Sequence, residues 1–274
     1  MSLFTIDKAK CRGDGKCALV CPVQIIGMDK EARIPYPLEG AEEACINCGH
    51  CMAVCPPGAL ILKTMAPSDC LSLKEGWKLS PEKIEFLLKG RRSIRNYKDQ
   101  PVEQPVIEKL IDIARYAPSG INRQPVSWEV VSGKENVRQL SEAVASWMRD
   151  MVDKKAPLAG LLHLERIADA WDKGSDRICR GAPHVIIAYS VKDEPTGSQA
   201  CTIALTYFEL AALSFGLGAC WAGYVSIAAN MSEEVRKFIG LSPRAACHGA
   251  MMLGSPKYDY HRVPLRNRPN IRWR

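Results

Sequence analysis

Four cysteines between residues 45 and 55 constrain this chain more than any other feature. Cys45, Cys48, Cys51 and Cys55 stand in the spacing C-x2-C-x2-C-x3-C, and Pro56 follows directly. Two residues between thiolates make a turn that lets neighbouring sulfurs reach adjacent irons. The proline then stops a helix that would otherwise run on. Such a run is the mark of iron–sulfur ligation, in which the fourth cysteine serves the other cluster when two are present. A structural zinc knuckle would use the same soft ligands and similar C-x2-C pairs. The ending in Cys-Pro favours iron and sulfur.

A partner run lies upstream. Cys11, Asp14, Cys17 and Cys21, followed by Pro22, read C-x2-D-x2-C-x3-C-P, with aspartate where the second cysteine would stand. Together the two runs resemble the two-cluster bacterial ferredoxins. The resemblance implies one cluster on Cys11, Asp14, Cys17 and Cys55, and a 4Fe-4S cluster on Cys45, Cys48, Cys51 and Cys21. A carboxylate is a harder ligand than a thiolate, so iron at Asp14 is expected to be held less firmly. The first site is therefore expected to carry either a 4Fe-4S cluster with Asp14 as ligand or a 3Fe-4S cluster with Asp14 left as a solvated loop acid.

At 274 residues the chain has room for one large domain or two smaller ones, each with a real core. Residues 1–65 carry the internal repeat, from a first strand near Met1–Lys8 to a closing strand at Ile61-Leu62-Lys63. Residues 66–79 turn loop-like and are expected to be a linker. Residues 80–274 form the second domain. Five further cysteines, Cys70, Cys179, Cys201, Cys220 and Cys247, are scattered and are expected to be buried free thiols. No apolar leader or membrane-length run is evident, so a reducing, cytoplasmic setting is expected.

In the second domain Ser80-Pro81 opens a helix, with serine as N-cap and proline in the first turn. Ile84, Leu87 and Leu88 are its expected buried stripe, and Gly90 ends it. Another amphipathic helix is expected from Pro105 or Val106 to Tyr116, with Val106, Ile107, Leu110, Ile111 and Ile113-Ala114 on its apolar side. Residues 182–189 read as a buried strand and residues 199–215 as a mostly apolar helix. His184 lies in the apolar strand and reads as a satisfied core histidine. The five histidines are widely separated and make no metal set.

Between the first two helices stands Arg91-Arg92-Ser93-Ile94-Arg95, then Pro101-Val102; Ala117-Pro118-Ser119-Gly120-Ile121-Asn122-Arg123-Gln124-Pro125 follows. Gly216-Leu217-Gly218-Ala219-Cys220-Trp221-Ala222-Gly223 and a basic tail come later. In this order they resemble the FMN-dependent nitroreductase family over residues 80–274. With the N-terminal part, the chain resembles ferredoxin–nitroreductase fusion proteins. The implied fold is α+β: a two-cluster ferredoxin-type domain, then helices around a mixed sheet.

The resemblance also implies roles. Arg91 and Arg262 would bind the FMN phosphate, which suits the guanidinium fork. Ser93 would add a neutral donor, and Arg92 would face phosphate or solvent. Arg95 would stand near N1 and O2, where positive charge stabilises the reduced ring. Pro118, Ser119 and Asn122 would reach the flavin of the other subunit, which implies an intertwined homodimer with FMN at its interface. Main-chain N–H groups at Trp221, Ala222 and Gly223 would face flavin N5, with Gly216, Gly218 and Gly223 allowing close approach.

The formal charge of +7 does not argue for nucleic acid. Two clusters and a flavin phosphate would add on the order of five negative charges. The implied activity is an FMN-dependent oxidoreductase that receives single electrons through its clusters from a low-potential donor such as a ferredoxin. It would pass them in pairs to a small-molecule acceptor: a nitroaromatic, a quinone or an activated alkene. Two alternatives remain: an NAD(P)H-dependent reductase with an accessory ferredoxin part, and a non-enzymatic redox sensor or carrier.

Overall fold

The structure, a computed structural model, describes residues 2–73 and 76–274. Positions 74 and 75, within the expected linker, lie outside the described residues. Contacts divide the chain into two compact units: Met1–Leu79 with Ile121–Arg123, and Ser80–Gly120 with Gln124–Arg274.

The first unit is built from two short antiparallel ribbons. β1 (Phe4–Ile6) precedes α1 (Lys16–Leu19), β2 (Ile26–Met28), β3 (Pro35–Pro37), α2 (Ala41–Ala44), α3 (His50–Ala53) and β4 (Leu60–Leu62). β1 pairs with β4, and β2 with β3. The repeat seen in the cysteine runs is thus a repeat of structure: strand, cysteine loop and one-turn helix occur twice. Its small core holds Phe4, Ile25, Ile26, Met52, Leu60 and Leu62. Two loops rich in cysteine leave little else for a core this size to enclose.

The second unit runs α4 (Pro81–Gly90), α5 (Gln104–Ala114), β5 (Ser127–Ser132), α6 (Lys134–Asp153), α7 (Pro157–Leu161), α8 (Leu164–Asp172), β6 (His184–Val191), α9 (Gly197–Ser214), β7 (Gly218–Trp221), α10 (Gly223–Met231), α11 (Glu233–Phe238) and β8 (Ala245–Gly254). The four strands form one sheet in the order β5-β6-β8-β7. A mixed sheet was expected, yet each of the described pairs is antiparallel. A parallel neighbour would have to come from a further strand, and residues 257–274 form no ladder.

The sheet has one core on each face. α6, α8 and α10 cover one with Leu140, Val144, Met148, Leu164 and Val225, whereas α5 and α9 cover the other with Leu110, Leu205 and Phe208. Each large side chain fully buried this way contributes about 1.5–3 kcal/mol. Ser80 caps α4 by accepting from the Lys83 N–H, as its sequence suggested. The stripe expected to bury α4 does not do so: Ile84 and Leu88 are 38% and 52% exposed, and Leu87 is half-buried. Periodicity marks an apolar face but not what covers it. Cys70 is likewise exposed, in a loop-like segment with no core around it, while Cys179, Cys201, Cys220 and Cys247 are buried. Among the described residues no helix is long and apolar enough to cross a membrane.

Candidate functional site

In the first unit the two cysteine runs close around two cavities. One is lined by Cys11, Asp14, Cys17 and Cys55, and the other by Cys21, Cys45, Cys48 and Cys51. Each is a small cavity of about 20 Å3. The exchange of fourth cysteines between runs, implied by the ferredoxin resemblance, is therefore how the chain groups these side chains.

Local geometry explains the match. Gly49 precedes α3 with φ 72 and ψ 1, and Gly15 precedes α1 with φ 70 and ψ 0. Both are left-handed, a conformation glycine adopts at no steric cost. Cys48-Gly49-His50-Cys51 and Asp14-Gly15-Lys16-Cys17 thus follow the same turn, and Asp14 occupies the place of Cys48. Its carboxylate is engaged by Lys16: the backbone N–H donates to Oδ1 at 3.2 Å and Nζ lies 3.1 Å from Oδ2. Lys16 accordingly holds the Asp14 carboxyl below its usual range.

Burial pushes Cys51 up to about 11 and also raises Cys17; in each case the neighbouring cysteines add to the shift. Four thiolates facing one cavity oppose one another, and a bound cation relieves both penalties. Main-chain N–H groups already donate to sulfur, from Asn47 to Cys45 Sγ at 3.4 Å and from Ala59 to Cys55 Sγ at 3.3 Å. Among the described residues no three His, Cys, Asp or Glu side chains converge closely enough to share one ion. Three thiols with Asp14 line one cavity and four thiols the other.

Ile121–Arg123 belong to this same unit. Asn122 donates through Nδ2 to the carbonyls of Ile46 and Asn47 at 3.1 and 2.9 Å. The amide expected to reach a flavin is already used on the loop between Cys45 and Cys48. Ile121 and Asn122 both have positive φ, 43 and 56, an uncommon strain for a β-branched residue.

In the second unit the Arg91–Arg95 segment lies along β7. The Ile94 N–H donates to the Ala219 carbonyl at 3.0 Å, and Ile94 is buried. A Cβ on Gly218 would fall 2.2 Å from Ile94 Cγ1. Gly218 was expected to admit a flavin ring, but the space beside it is taken by Ile94. Arg91 pairs with Glu209 on α9, Nη1 to Oε1 at 2.8 Å. Burial raises the Glu209 carboxyl above its ordinary range even though Arg91 pulls it down.

Arg91 and Arg92 also line an open cavity of about 510 Å3 together with Lys89 and Arg266. Of the expected phosphate ligands, Arg91 is there, whereas Arg262 lies exposed in the tail and does not line it. Ser93 is half-buried, and its carbonyl accepts from Arg95 Nη1 at 3.5 Å; Arg95 is exposed. Ser119 closes its own turn by accepting the Gln124 N–H at 2.9 Å, next to exposed Pro118. Ala222 donates its N–H to Ala250 at 2.8 Å, so that group is committed to β8. Trp221 is 40% exposed, and Gly223 opens α10, where helix geometry leaves first-turn amides without intrahelical acceptors.

Two residues of this site were missed from sequence. Arg266 was lost in the basic tail, since an irregular segment has no periodicity to show which exposed arginine borders the cavity. Glu209 had a readable signal: an acid at a buried position of a helix whose neighbours in that stripe are Leu205, Phe208 and Ala212.

With this geometry in place, comparison decides the family. The nitroreductase family model matches residues 88–255, and a 4Fe-4S dicluster domain model matches residues 10–59. The chain belongs to the nitroreductase family. Like other nitroreductases it is a flavin oxidoreductase, here with a ferredoxin-type domain at its N-terminal end. A putative NADH dehydrogenase/NAD(P)H nitroreductase of Methanothermobacter thermautotrophicus is 27% identical, with 65% of this chain and 80% of the relative covered. An NADH dehydrogenase of Thermus thermophilus is also 27% identical, covering 64% of this chain and 89% of that one. Among solved structures, a Bacteroides fragilis nitroreductase with bound FMN aligns with a TM-score of 0.54 at 21% identity. It covers 70% of this chain and 96% of its own. At these identities the structural likeness shows the nitroreductase fold.

Proposed function

We propose that this nitroreductase-family protein is an FMN-dependent oxidoreductase that takes electrons singly through two iron–sulfur clusters and reduces a small-molecule acceptor. One observation carries the reading: a single chain joins a unit with two cysteine-lined cavities to a flavin oxidoreductase unit. When bound, the clusters supply one-electron transfer and FMN supplies the pairing of electrons for a two-electron acceptor.

The residues have distinct tasks. Cys45, Cys48, Cys51 and Cys21 hold a 4Fe-4S cluster. Cys11, Cys17 and Cys55 hold the other, with Asp14 as a fourth ligand that Lys16 draws away from iron. Arg91 and Arg92, joined by Arg266 from the tail, bind the flavin phosphate. Ser93 and Arg95 serve the flavin from the same segment, and Pro118 and Ser119 from the following loop. Gly223 offers a main-chain donor. Residues 66–79 connect the domains. The bound-FMN structures of relatives support the cofactor, and the open apolar face of α4 supports assembly as a homodimer.

A second reading has NAD(P)H as the donor, because the curated relatives are named for NADH or NAD(P)H. Anaerobic stopped-flow spectroscopy separates the two. Reduced ferredoxin is expected to reduce the bound flavin faster than NADH or NADPH, and Cys48→Ala is expected to abolish ferredoxin-driven reduction while leaving flavin content unchanged. Equal or faster reduction by NAD(P)H, or ferredoxin-driven turnover that survives loss of the cluster, rejects the cluster route.

A further inference from the structure

Glu209 is out of place on α9. The helix buries Gly197, Ala200, Cys201, Ala204, Leu205, Phe208 and Ala212 along one stripe, and Glu209 falls in that stripe at 5% exposure. A carboxylate in such a place is costly unless paired and hydrogen-bonded. It has a partner in Arg91, 2.8 Å away. Replacing such a pair by apolar residues of similar volume is often neutral or stabilising, so burial alone does not account for it.

Arg91 accounts for it. The guanidinium has five N–H donors in a rigid plane, and the bond to Glu209 uses Nη1. The same side chain is 27% exposed and borders the cavity formed with Lys89, Arg92 and Arg266. Lys89 is paired with Glu85 across one helical turn, and the lining contains no carboxylate among the described residues. The cavity is therefore cationic, and one of its walls is tied down from behind.

We propose that Glu209 is a positioning residue for phosphate recognition. By anchoring one edge of the Arg91 guanidinium in the α9 stripe, it presents the remaining donors of that fork to the phosphate of FMN. The inference rests on the reading above that this cavity takes the phosphate end of the flavin. An unanchored arginine would reach phosphate only after losing rotamer freedom, and a planar two-point contact is the kind most sensitive to that freedom.

The test compares flavins that differ in that one group. Full-length protein stripped of flavin is titrated with FMN and with riboflavin, and binding is followed by quenching of flavin fluorescence. Glu209→Ala is expected to lower the preference for FMN over riboflavin by about tenfold or more, with riboflavin affinity unchanged. Glu209→Gln, which keeps an acceptor oxygen for Nη1, is expected to retain most of the preference. Should Glu209→Ala fail to fold, Glu209→Leu restores apolar volume to the stripe and reports the same ratio.

An unchanged or increased preference in Glu209→Ala means that Glu209 only neutralises Arg91, and overturns the proposal. So does an equal loss in Glu209→Gln, which would assign the effect to charge. Arg91→Ala is the separate check on the underlying reading. If it leaves the preference intact, the phosphate does not sit at Arg91 and that reading fails by itself.

Discussion

His184 shows how much one side chain can settle. The Val102 N–H donates to its Nε2 at 2.8 Å, so the proton of the neutral ring is on Nδ1 and faces Ser132 Oγ at 3.1 Å. Burial lowers its pKa. In the unfolded chain the ring takes up a proton near about pH 6.5. Below that value, down to the depressed folded pKa, the unfolded state binds a proton that the folded state refuses. Stability from this site is thus complete above about pH 6.5 and is lost as pH falls through the window. His184→Ala is expected to cost about 1–3 kcal/mol near neutral pH, because the buried Val102 N–H loses its acceptor. The variant should also lose less stability than the wild type on acidification, as read from thermal unfolding at several pH values. From sequence, His184 was legible as a satisfied core histidine because its neighbours are apolar. Its partners were not, for Val102 and Ser132 lie 82 and 52 residues away.

At the level of elements, legibility followed whether a pattern depends on its own segment. The cysteine loops were readable to the residue because each one-turn helix and its preceding glycine are set by a few adjacent positions. α5 and α9 came out within two residues of their ends, since an apolar stripe and its caps are also local. The Arg91–Arg95 segment was recognised, but what holds it was not. Its seat depends on Ile94 entering the space beside Gly218, more than a hundred residues on in the chain. Gly218→Ala is therefore expected to push Ile94 out of its place, at about 1–3 kcal/mol of overpacking. Weaker retention of FMN should accompany it, measured as flavin content after gel filtration. Normal flavin content and unchanged melting would show that the segment is seated by other contacts.

For the molecule as a whole, exposed apolar surface is the feature left over. Phe86 on α4 is 72% exposed, and Leu265 and Trp273 in the tail are 96% and 91% exposed. Surface of this kind usually marks a place of association. If the proposed homodimer buries α4, light scattering should find dimers in the wild type, and Phe86→Glu should weaken them by about tenfold or more. A wild-type protein that is monomeric at micromolar concentration would reject this. Sequence pattern alone identified the amphipathic helix; that its apolar face stays open shows only once the rest of the unit is packed.

The exposed position of Cys70 has a practical consequence. Of the twelve cysteines, it is the exposed one, and it stands apart in sequence from both cysteine runs, in the segment that precedes α4. A thiol-reactive dye or nitroxide can be attached there without touching either cysteine run. That segment thereby offers a single attachment point for a reporter.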